Sequence, residues 1–407
     1  MVRCFGRGGR VGLVILCLCL CGLTVARPAA GGRVVAANRT EGCVESFDAA
    51  TDYFPDKATI EDATNFRVQY RKSYKVVTVS EAYAGGPPER YLLVQCGAPA
   101  PSLLGDLAGA QVVTVPIASL FAFSPTHLSP LVDLDRVDLL TGVAQLAGVD
   151  SPPIQARIKD GKIVEFAKMG LVIDVERVVT AKPAIFMTGG SSNAALSVIR
   201  NAGIPVVANT EWLEPTALAR AEWLKYMALF LNEERKAGSV YRTMKERYRA
   251  LSARATAMPV TDRPLIMTGR STRGTFVIAG GRSYVGALIE DAGGRYAWAD
   301  HTGVGTASVD LEAEIRRASN ADIWINGGGW ASLAAMLEDE PRYAELKAYR
   351  QGQVWVYERR QTSTGANDYW SRSVTHPDLI LADLVKIFHP SLLPGRPFEW
   401  YMRVPAR

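Results

Sequence analysis

The 407-residue sequence has few residues of the types that build metal sites and disulfide frameworks. It has four histidines and six cysteines, and beyond residue 21 only the cysteines Cys43 and Cys96 remain. The histidines show no recognisable metal-ligand spacing, and two cysteines are too few for a disulfide-rich scaffold. These two cysteines either form one bridge or are two separate buried thiols, and their spacing leaves both alternatives open.

The sequence also lacks an apolar run long enough to cross a membrane, which takes about 20 residues. The leader MVRCFGRGGRVGLVILCLCLCGLTVA has arginines, then a short apolar stretch, then the small residues Thr-Val-Ala. This pattern indicates a signal peptide over residues 1–26, with cleavage near Ala26, and a periplasmic or secreted mature protein. A lipid anchor is not favoured, because Cys17, Cys19 and Cys21 each follow a leucine.

An excess of charge of one sign is absent as well. The formal net charge is +5, and removal of the leader takes away three arginines. Nucleic-acid-binding domains usually carry a basic stripe, for which a nearly neutral mature chain gives no indication. No nucleic-acid partner is predicted.

Recognisable catalytic motifs are also missing. The stretches GRSTRG and GRSYVG have one residue too many for a serine nucleophile elbow, and GVGTAS lacks the last glycine of a dinucleotide loop. No Walker loop and no H-E-x-x-H motif occurs. We predict that the protein is not an enzyme and has no catalytic residue, no cofactor and no metal ligand of its own.

The sequence does contain two series of alternating strand and helix patterns. Short apolar runs, such as PAIFMTGG and IPVVAN in the first half and PLIMTG and GTFVIAGG in the second, are separated by helical stretches. Continuous runs of this kind are typical of parallel strands covered by helices on both faces. They predict an α/β fold of two Rossmann-like lobes with mainly parallel sheets.

A long helical region separates the two series. Pro215 suits a first helical turn, which predicts a helix from about residue 214 to 232. Its apolar residues form two stripes, so only the side with Arg220, Glu222 and Lys225 should face solvent.

The second part of this region is an ordinary amphipathic helix with an apolar stripe at Tyr241, Met244, Tyr248 and Leu251. The predicted organisation is therefore a signal peptide (1–26), an irregular lead-in (27–44), an N-terminal lobe (45–213), the connecting helix and the helix after it (214–257), and a C-terminal lobe (258–407).

Ligands of open parallel sheets bind beyond the carboxyl ends of the strands. The loops there carry glycines, arginines and tryptophans, which suit a bulky, partly anionic or aromatic ligand. Of the adjacent pair Arg359 and Arg360, one is expected at the ligand and the other on a surface carboxylate. The predicted ligand-binding residues are Thr126, His127, Gly190, Ser191, Trp212, Arg270, Tyr284, Trp298, Trp330, Arg359, Arg360 and Trp370.

Other roles for some of these side chains remain open. His127, His301 and Tyr284 are also candidate axial haem ligands, whereas a loop histidine more often bonds to the backbone. Trp223 and Trp324 are flanked by core-type residues and are predicted to pack in the interior.

Four stretches together resemble the helical-backbone class of periplasmic binding proteins, which deliver iron-siderophores, haem and vitamin B12 to ABC importers. They are WLEPTALARAEWLKYMALFLN, SYVGALIEDAGG, PRYAELKAYRQGQVW and HPDLILADLVKIFHPSLLP, and the similarity covers about residues 70–400. The resemblance implies two lobes joined by one long helix, a small-molecule ligand in the cleft between them, a monomer, and a membrane permease dimer as partner. A metal- or haem-binding protein, or a secreted enzyme using the same cleft, is the alternative.

The resemblance further implies one acidic docking residue for the permease on each lobe. The matching positions are Asp135 in LVDLDRVDLL and Glu290 in YVGALIEDAGG. A solvated helix face would account for the same carboxylates and for their acidic neighbours.

Overall fold

The computed structural model describes residues 34–272 and 274–407, so the predicted signal peptide lies outside the described residues. No helix in these ranges combines the length and the apolar character needed to cross a membrane. In chain order the strands are β1 (Phe66–Tyr70), β2 (Tyr74–Val79), β3 (Glu89–Gln95), β4 (Gln111–Val115), β5 (Leu120–Ala122), β6 (Leu140–Val143), β7 (Val164–Glu165), β8 (Ala167–Lys168), β9 (Val172–Ile173), β10 (Ile185–Thr188), β11 (Val206–Ala208), β12 (Leu265–Thr268), β13 (Arg270–Thr272), β14 (Thr275–Ala279), β15 (Arg295–Tyr296), β16 (Thr306–Asp310), β17 (Ile323–Ile325), β18 (Val354–Val356) and β19 (Met402–Arg403).

The α-helices alternate with these strands, and short 3-10 turns occur between them, among others at Pro125–His127 and Glu211–Leu213. The helices are α1 (Leu128–Asp133), α2 (Pro152–Lys159), α3 (Val175–Ala181), α4 (Ala194–Asn201), α5 (Ala217–Ala221), α6 (Trp223–Leu231), α7 (Glu234–Thr256), α8 (Tyr284–Asp291), α9 (Leu311–Ala318), α10 (Leu333–Asp339), α11 (Lys347–Arg350), α12 (Asp368–Ser371) and α13 (Pro377–Phe388).

The N-terminal lobe contains two larger sheets that share one core. The first sheet has the order β1-β2-β3-β4 and is antiparallel except between β3 and β4. The second has the order β11-β10-β5-β6-β7 and is parallel throughout, which corresponds to the Rossmann order 3-2-1-4-5. Val77 of the first sheet and Met187 of the second belong to the same buried cluster as α6.

The C-terminal lobe also contains two sheets. The main sheet has the order β15-β12-β17-β18-β19 and is parallel except for β19, which corresponds to the order 2-1-3-4-5 of flavodoxin-like folds. The predicted α/β class with mainly parallel sheets and two lobes is thereby confirmed. The run TFVIA is an exception, because it forms β14 of an antiparallel sheet with β13 and β16.

A disulfide joins the lead-in to the N-terminal lobe. Cys43 and Cys96 are bonded, with their Cα atoms 4.5 Å apart. The backbone N–H of Val44 also donates to the carbonyl of Cys96 at 2.8 Å. Of the two alternatives left by the sequence, the structure therefore has the single bridge, which lies just beyond the end of β3.

The helix predicted from residue 214 to 232 is interrupted and begins later than its sequence indicates. The hydroxyl of Thr216 accepts from the backbone N–H of Ala219 at 3.1 Å, so Thr216 is the N-cap of α5 and Pro215 precedes the helix. At the other end Asn232, in the left-handed conformation with φ of 59°, closes α6 before α7 starts.

The longest helix, α7, passes from one lobe core to the other. Its first turns reach the N-terminal core through Ala237, whereas Tyr241, Met244 and Tyr248 are buried in the C-terminal core with α8 and α13. The predicted stripe of α7 is therefore confirmed as a packing face. Trp223 and Trp324 are fully buried, as predicted.

The prediction that one side of the connecting helix faces solvent is wrong. Arg220, Glu222 and Lys225 are all buried. Residues 59–65 lie across Glu222 and Lys225, whereas Arg220 is enclosed by Glu211 and Tyr284. Glu222 accepts hydrogen bonds from the backbone N–H groups of this segment, and Lys225 donates to the carbonyl of Thr59 at 2.7 Å and to Glu222 at 2.6 Å. Each buried charge is thus paired or hydrogen-bonded, as buried charges require.

Candidate functional site

The strand order places a crevice in each lobe. In an open parallel sheet, the loops after the two strands at which the order reverses diverge and leave room for a ligand. In the N-terminal lobe these are the loops after β5 and β10, and in the C-terminal lobe they follow β12 and β17. The geometry therefore predicts two facing halves of a site.

A cavity of about 510 Å³ occupies the N-terminal crevice. Its size is within the range of small-molecule sites, and most of its wall is apolar. The loop after β5 contributes the run from Phe123 to Thr126, the loop after β10 contributes Gly189 to Ser191, and Glu211 and Trp212 follow β11. The rest of the wall includes Leu128, Val143, Gln145, Val149, Leu171, Arg220, Tyr284 and Trp370.

A second cavity of about 280 Å³ occupies the C-terminal crevice. Gly269 and Arg270 line it after β12, and Asn326 lines it after β17. Tyr284 and Trp370 belong to the walls of both cavities. The two crevices therefore meet at these two aromatic side chains and form one cleft between the lobes, which we call the interlobe cleft.

Gly190 brings the main chain close to the cleft. It has a φ of +84°, and a Cβ atom at this position would lie 2.6 Å from the carbonyl oxygen of Ala82 and 2.4 Å from Cγ2 of Thr210. Only glycine fits both the conformation and the space. The loop after β10 can therefore line the cavity with backbone rather than side chain.

A buried ion pair lies in the wall of the N-terminal cavity. Nη2 of Arg220 donates to Oε1 of Glu211 at 3.2 Å, and both side chains are almost completely enclosed. The guanidinium also lies 4.4 Å over the ring centre of Tyr284. Arg220 thus connects the end of the N-terminal lobe with the first turn of α8 at the place where the two cavities meet.

Seven of the twelve predicted ligand-binding residues line the interlobe cleft. Thr126, Gly190, Ser191 and Trp212 lie on the N-terminal side. The others are Arg270, on the C-terminal side, and Tyr284 and Trp370, which are shared by both sides. Arg270 is paired with Asp339 at 2.9 Å.

His127 lies next to this wall but is not part of it. Its side chain is fully buried in the 3-10 turn after β5, and neither ring nitrogen has a hydrogen-bond partner of normal geometry among the described residues. Burial lowers the pKa of His127 to about 4, so the ring is neutral at ordinary pH. The neighbours Thr126 and Leu128 line the cavity instead.

Two predicted tryptophans pack within the C-terminal lobe and are not part of either cavity wall. The indole N–H of Trp330 donates to Asp339 at 2.7 Å, and its ring makes an edge contact with Trp324. Trp298 donates to Glu314 at 2.5 Å. Both tryptophans belong to the predicted loops, but these hydrogen bonds hold their side chains within the lobe rather than in the cleft.

The adjacent arginines also lie outside the two cavity walls. Arg360 pairs with Glu399 at 2.9 Å, which is the surface-carboxylate role expected for one of the two. Arg359 is exposed, and its backbone N–H donates to the carbonyl of Trp400 at 3.1 Å.

The two predicted docking carboxylates are on the surface. Asp135 follows α1 and pairs with Lys236 of α7 at 2.5 Å. Glu290 is exposed near the end of α8, and within the described ranges no cation pairs with it.

Sequence reasoning missed Glu211 and Arg220 as cavity residues. Glu211 stands inside the stretch NTEW that follows β11, so its position after a strand was a usable signal. Arg220 gave no such signal, because it lies in a helix and is spaced like a solvent-facing residue. The described residues include no group of three or more His, Cys, Asp or Glu placed to hold a metal ion.

This protein has two facing α/β lobes with a cleft at the switch points of their sheets, which is the architecture of two-lobed binding proteins. The family model described as periplasmic binding protein matches residues 153–360, just over half of the chain. The chain belongs to this family.

Solved structures with the same fold include a periplasmic haem-binding protein from Pseudomonas aeruginosa, which has 19% sequence identity and a TM-score of 0.54 and covers 72% of this chain and 99% of its own. A protein of Staphylococcus epidermidis is described as a possible iron-binding periplasmic solute-binding protein. It has 18% sequence identity and a TM-score of 0.52, and the match covers 67% of this chain and 99% of that protein's chain. An uncharacterized lipoprotein of Methanocaldococcus jannaschii is 23% identical over 326 residues, 77% of this chain and 76% of the relative.

Proposed function

We propose that this protein is the extracytoplasmic substrate-binding component of an ABC importer. It captures an iron-siderophore or a similar bulky ligand between its two lobes and delivers it to a membrane permease. The observation that carries the proposal is the interlobe cleft, in which the switch points of both sheets face each other and share Tyr284 and Trp370. The proposal includes leader cleavage near Ala26, lobes at 45–213 and 258–407, and the connecting helices at 214–257.

The shape of the cleft supports a ligand of tetrapyrrole or siderophore size. A cavity of about 510 Å³ continues into one of about 280 Å³, which together suit a molecule larger than an amino acid or a bare ion. Trp212 in the wall of the larger cavity and Trp370 where the two cavities meet offer flat apolar surface. The similar protein of Pseudomonas aeruginosa is described as haem-binding, and haem is a ligand of this size class.

Polar contacts between the lobes beside the cleft support a hinged capture. Asp133 of α1 accepts from Thr375 at 2.5 Å and bonds to Nε2 of His376 at 3.0 Å. Ser371 of α12 donates to Asp150 at 2.8 Å. These bonds can fix a preferred distance between the lobes, while closure around a ligand is limited to small rotations.

Native mass spectrometry of the purified protein tests the proposal, because a captured ligand should remain bound. Titration of ligand-free protein with ferric siderophores, haemin and cobalamin should change its tryptophan fluorescence for the true ligand class. Trp212→Ala combined with Trp370→Ala should weaken that binding at least about tenfold, because two aromatic walls are lost. Trp355→Phe, outside both cavities, serves as the control, and an affinity of the double variant within about twofold of wild type would contradict the cleft assignment.

Asp135 and Glu290 are the proposed docking contacts for the permease. Asp135→Lys together with Glu290→Lys should slow association with the permease, most strongly at low salt, because charges at the rim of an interface mainly set encounter rates. Ligand affinity in solution should stay unchanged. Glu246→Lys, an exposed carboxylate on α7, is the matched control. Docking kinetics that match wild type in the double variant would remove these residues from the proposal.

A further inference from the structure

The ion pair of Arg220 and Glu211 in the cavity wall presents both signs of charge to a ligand. Arg220 is the natural anchor for an anion, but Glu211 is already bonded to it at 3.2 Å. Both side chains line the cavity and are at most 6% exposed. A ligand at this place therefore meets a positive and a negative charge side by side, with no net charge.

Each partner also keeps hydrogen-bonding capacity that the described residues do not use. Nε of Arg220 is buried without a partner. The hydrogen bond within the pair joins Nη2 to Oε1, and within the described ranges Nη1 of Arg220 and Oε2 of Glu211 make none. A bound ligand group can satisfy Nη1 and Oε2 by hydrogen bonds, whereas Nε has no exposed surface for such a bond.

We infer that this subsite receives a neutral ligand group that presents an acceptor and a donor side by side, such as a primary amide, rather than a carboxylate. The inference rests on the proposed capture of ligand in the cleft and specifies the chemistry of that ligand. The carbonyl oxygen of an amide accepts from Arg220 while its NH₂ group donates to Glu211, so both members of the ion pair are satisfied.

A charged group fits this pair less well than a neutral one. A carboxylate is attracted by Arg220 but is repelled by Glu211, and it has no donor to offer to Oε2. A cation meets the opposite problem at Arg220. Because both residues are enclosed, water screens the repulsion only weakly, and like charges brought together at low dielectric are costly.

The test compares two pairs of probes that share a scaffold and differ only in this group. They are haemin and its bis-amide, and cobyrinic acid and its heptaamide. Wild type should bind the amide form at least about tenfold more tightly than the carboxylate form of the same scaffold. Glu211→Gln removes the repelling charge and leaves Arg220 cationic, so the order should reverse, whereas Glu246→Gln on the surface should leave it unchanged.

Thermal unfolding identifies variants that fail to fold. Glu211→Gln combined with Arg220→Gln avoids an isolated buried charge, and it should bind the amide forms without gaining affinity for the carboxylates. A wild-type preference for carboxylates, or an unchanged order in folded Glu211→Gln protein, overturns the inference and leaves the proposed capture in the cleft intact.

The remaining outcomes separate the inference from the proposed function. If wild type binds none of the four probes and carries no ligand in the native mass spectrum, the proposed function itself fails. If wild type binds none of the four probes but carries a ligand through purification, the chemistry of that ligand tests the inference about the subsite. A ligand with a primary amide supports the inference, and a ligand without a neutral donor–acceptor group of this kind overturns it.

Discussion

Replacement of Glu234 by alanine is expected to lower the free energy of unfolding by about 3–5 kcal/mol. The side chains of Lys75 and Glu234 are fully buried, and Nζ of Lys75 lies 2.6 Å from Oε1 of Glu234. Nζ also donates to the carbonyl of Leu229 and to Asn232. Without the carboxylate, the ammonium of Lys75 is left in the core with neutral acceptors only. Burial already lowers the pKa of this ammonium, and the loss of Glu234 removes the charge that opposes this shift.

Urea unfolding of the variant measures this loss, and two comparisons show that it comes from the unpaired charge. Lys75→Met with Glu234→Leu removes both charges and should cost much less than Glu234→Ala alone. Glu345→Ala breaks the exposed pair with Arg342 and should cost less than about 1 kcal/mol. A Glu234→Ala protein with the stability of the Glu345→Ala protein would show that this pair does not hold the start of α7 to β2.

The fold class could be predicted because the strands carry their signal locally. Runs such as PAIFMTGG and PLIMTG are buried on both faces in the parallel sheets, and continuous apolar runs of this length indicate such strands. The loops after these strands could be predicted as the site for the same reason, since the carboxyl edge of a parallel sheet is fixed once its strands are known. Gly190 and Trp212 were found in this way.

The direction of individual side chains could not be predicted, because it depends on residues far away in the sequence. Arg220 has the helical position of a surface residue, but Glu211 and Tyr284 enclose its guanidinium. Trp330 stands in a loop of the right kind, yet Asp339 and Trp324 hold its ring in the core. Only the tertiary structure shows that Arg220 reaches the cleft while Trp330 does not.

Glu314 is the residue for which we expect the largest effect of pH on stability. It lies on α9 with no exposed surface, Oε2 accepts from Trp298 at 2.5 Å, and Oε1 has no partner among the described residues. Burial raises its pKa from 4.5 to about 7, although Trp298 and Arg317 oppose the shift. The folded protein therefore holds a proton on Glu314 at pH values where the unfolded chain has released it.

The sign of the effect follows from this difference in bound protons. The stabilisation from the raised pKa is fully present below pH 4.5 and is lost as the pH rises to about 7, because the carboxylate must then be buried as an anion. The difference between a pKa of 4.5 and one of about 7 corresponds to a loss of stability on the order of 3 kcal/mol. In urea unfolding, Glu314→Gln should flatten the dependence of stability on pH between 4.5 and 7, and it should be more stable than wild type at pH 8. Glu312→Gln, which changes an exposed carboxylate on the same helix, should retain the wild-type slope. If stability changes with pH in the same way in wild type and Glu314→Gln between pH 4.5 and 8, Glu314 is ionised in the folded protein over this whole range. The hydrogen bond from Trp298 and the charge of Arg317 would then offset the effect of burial on its pKa.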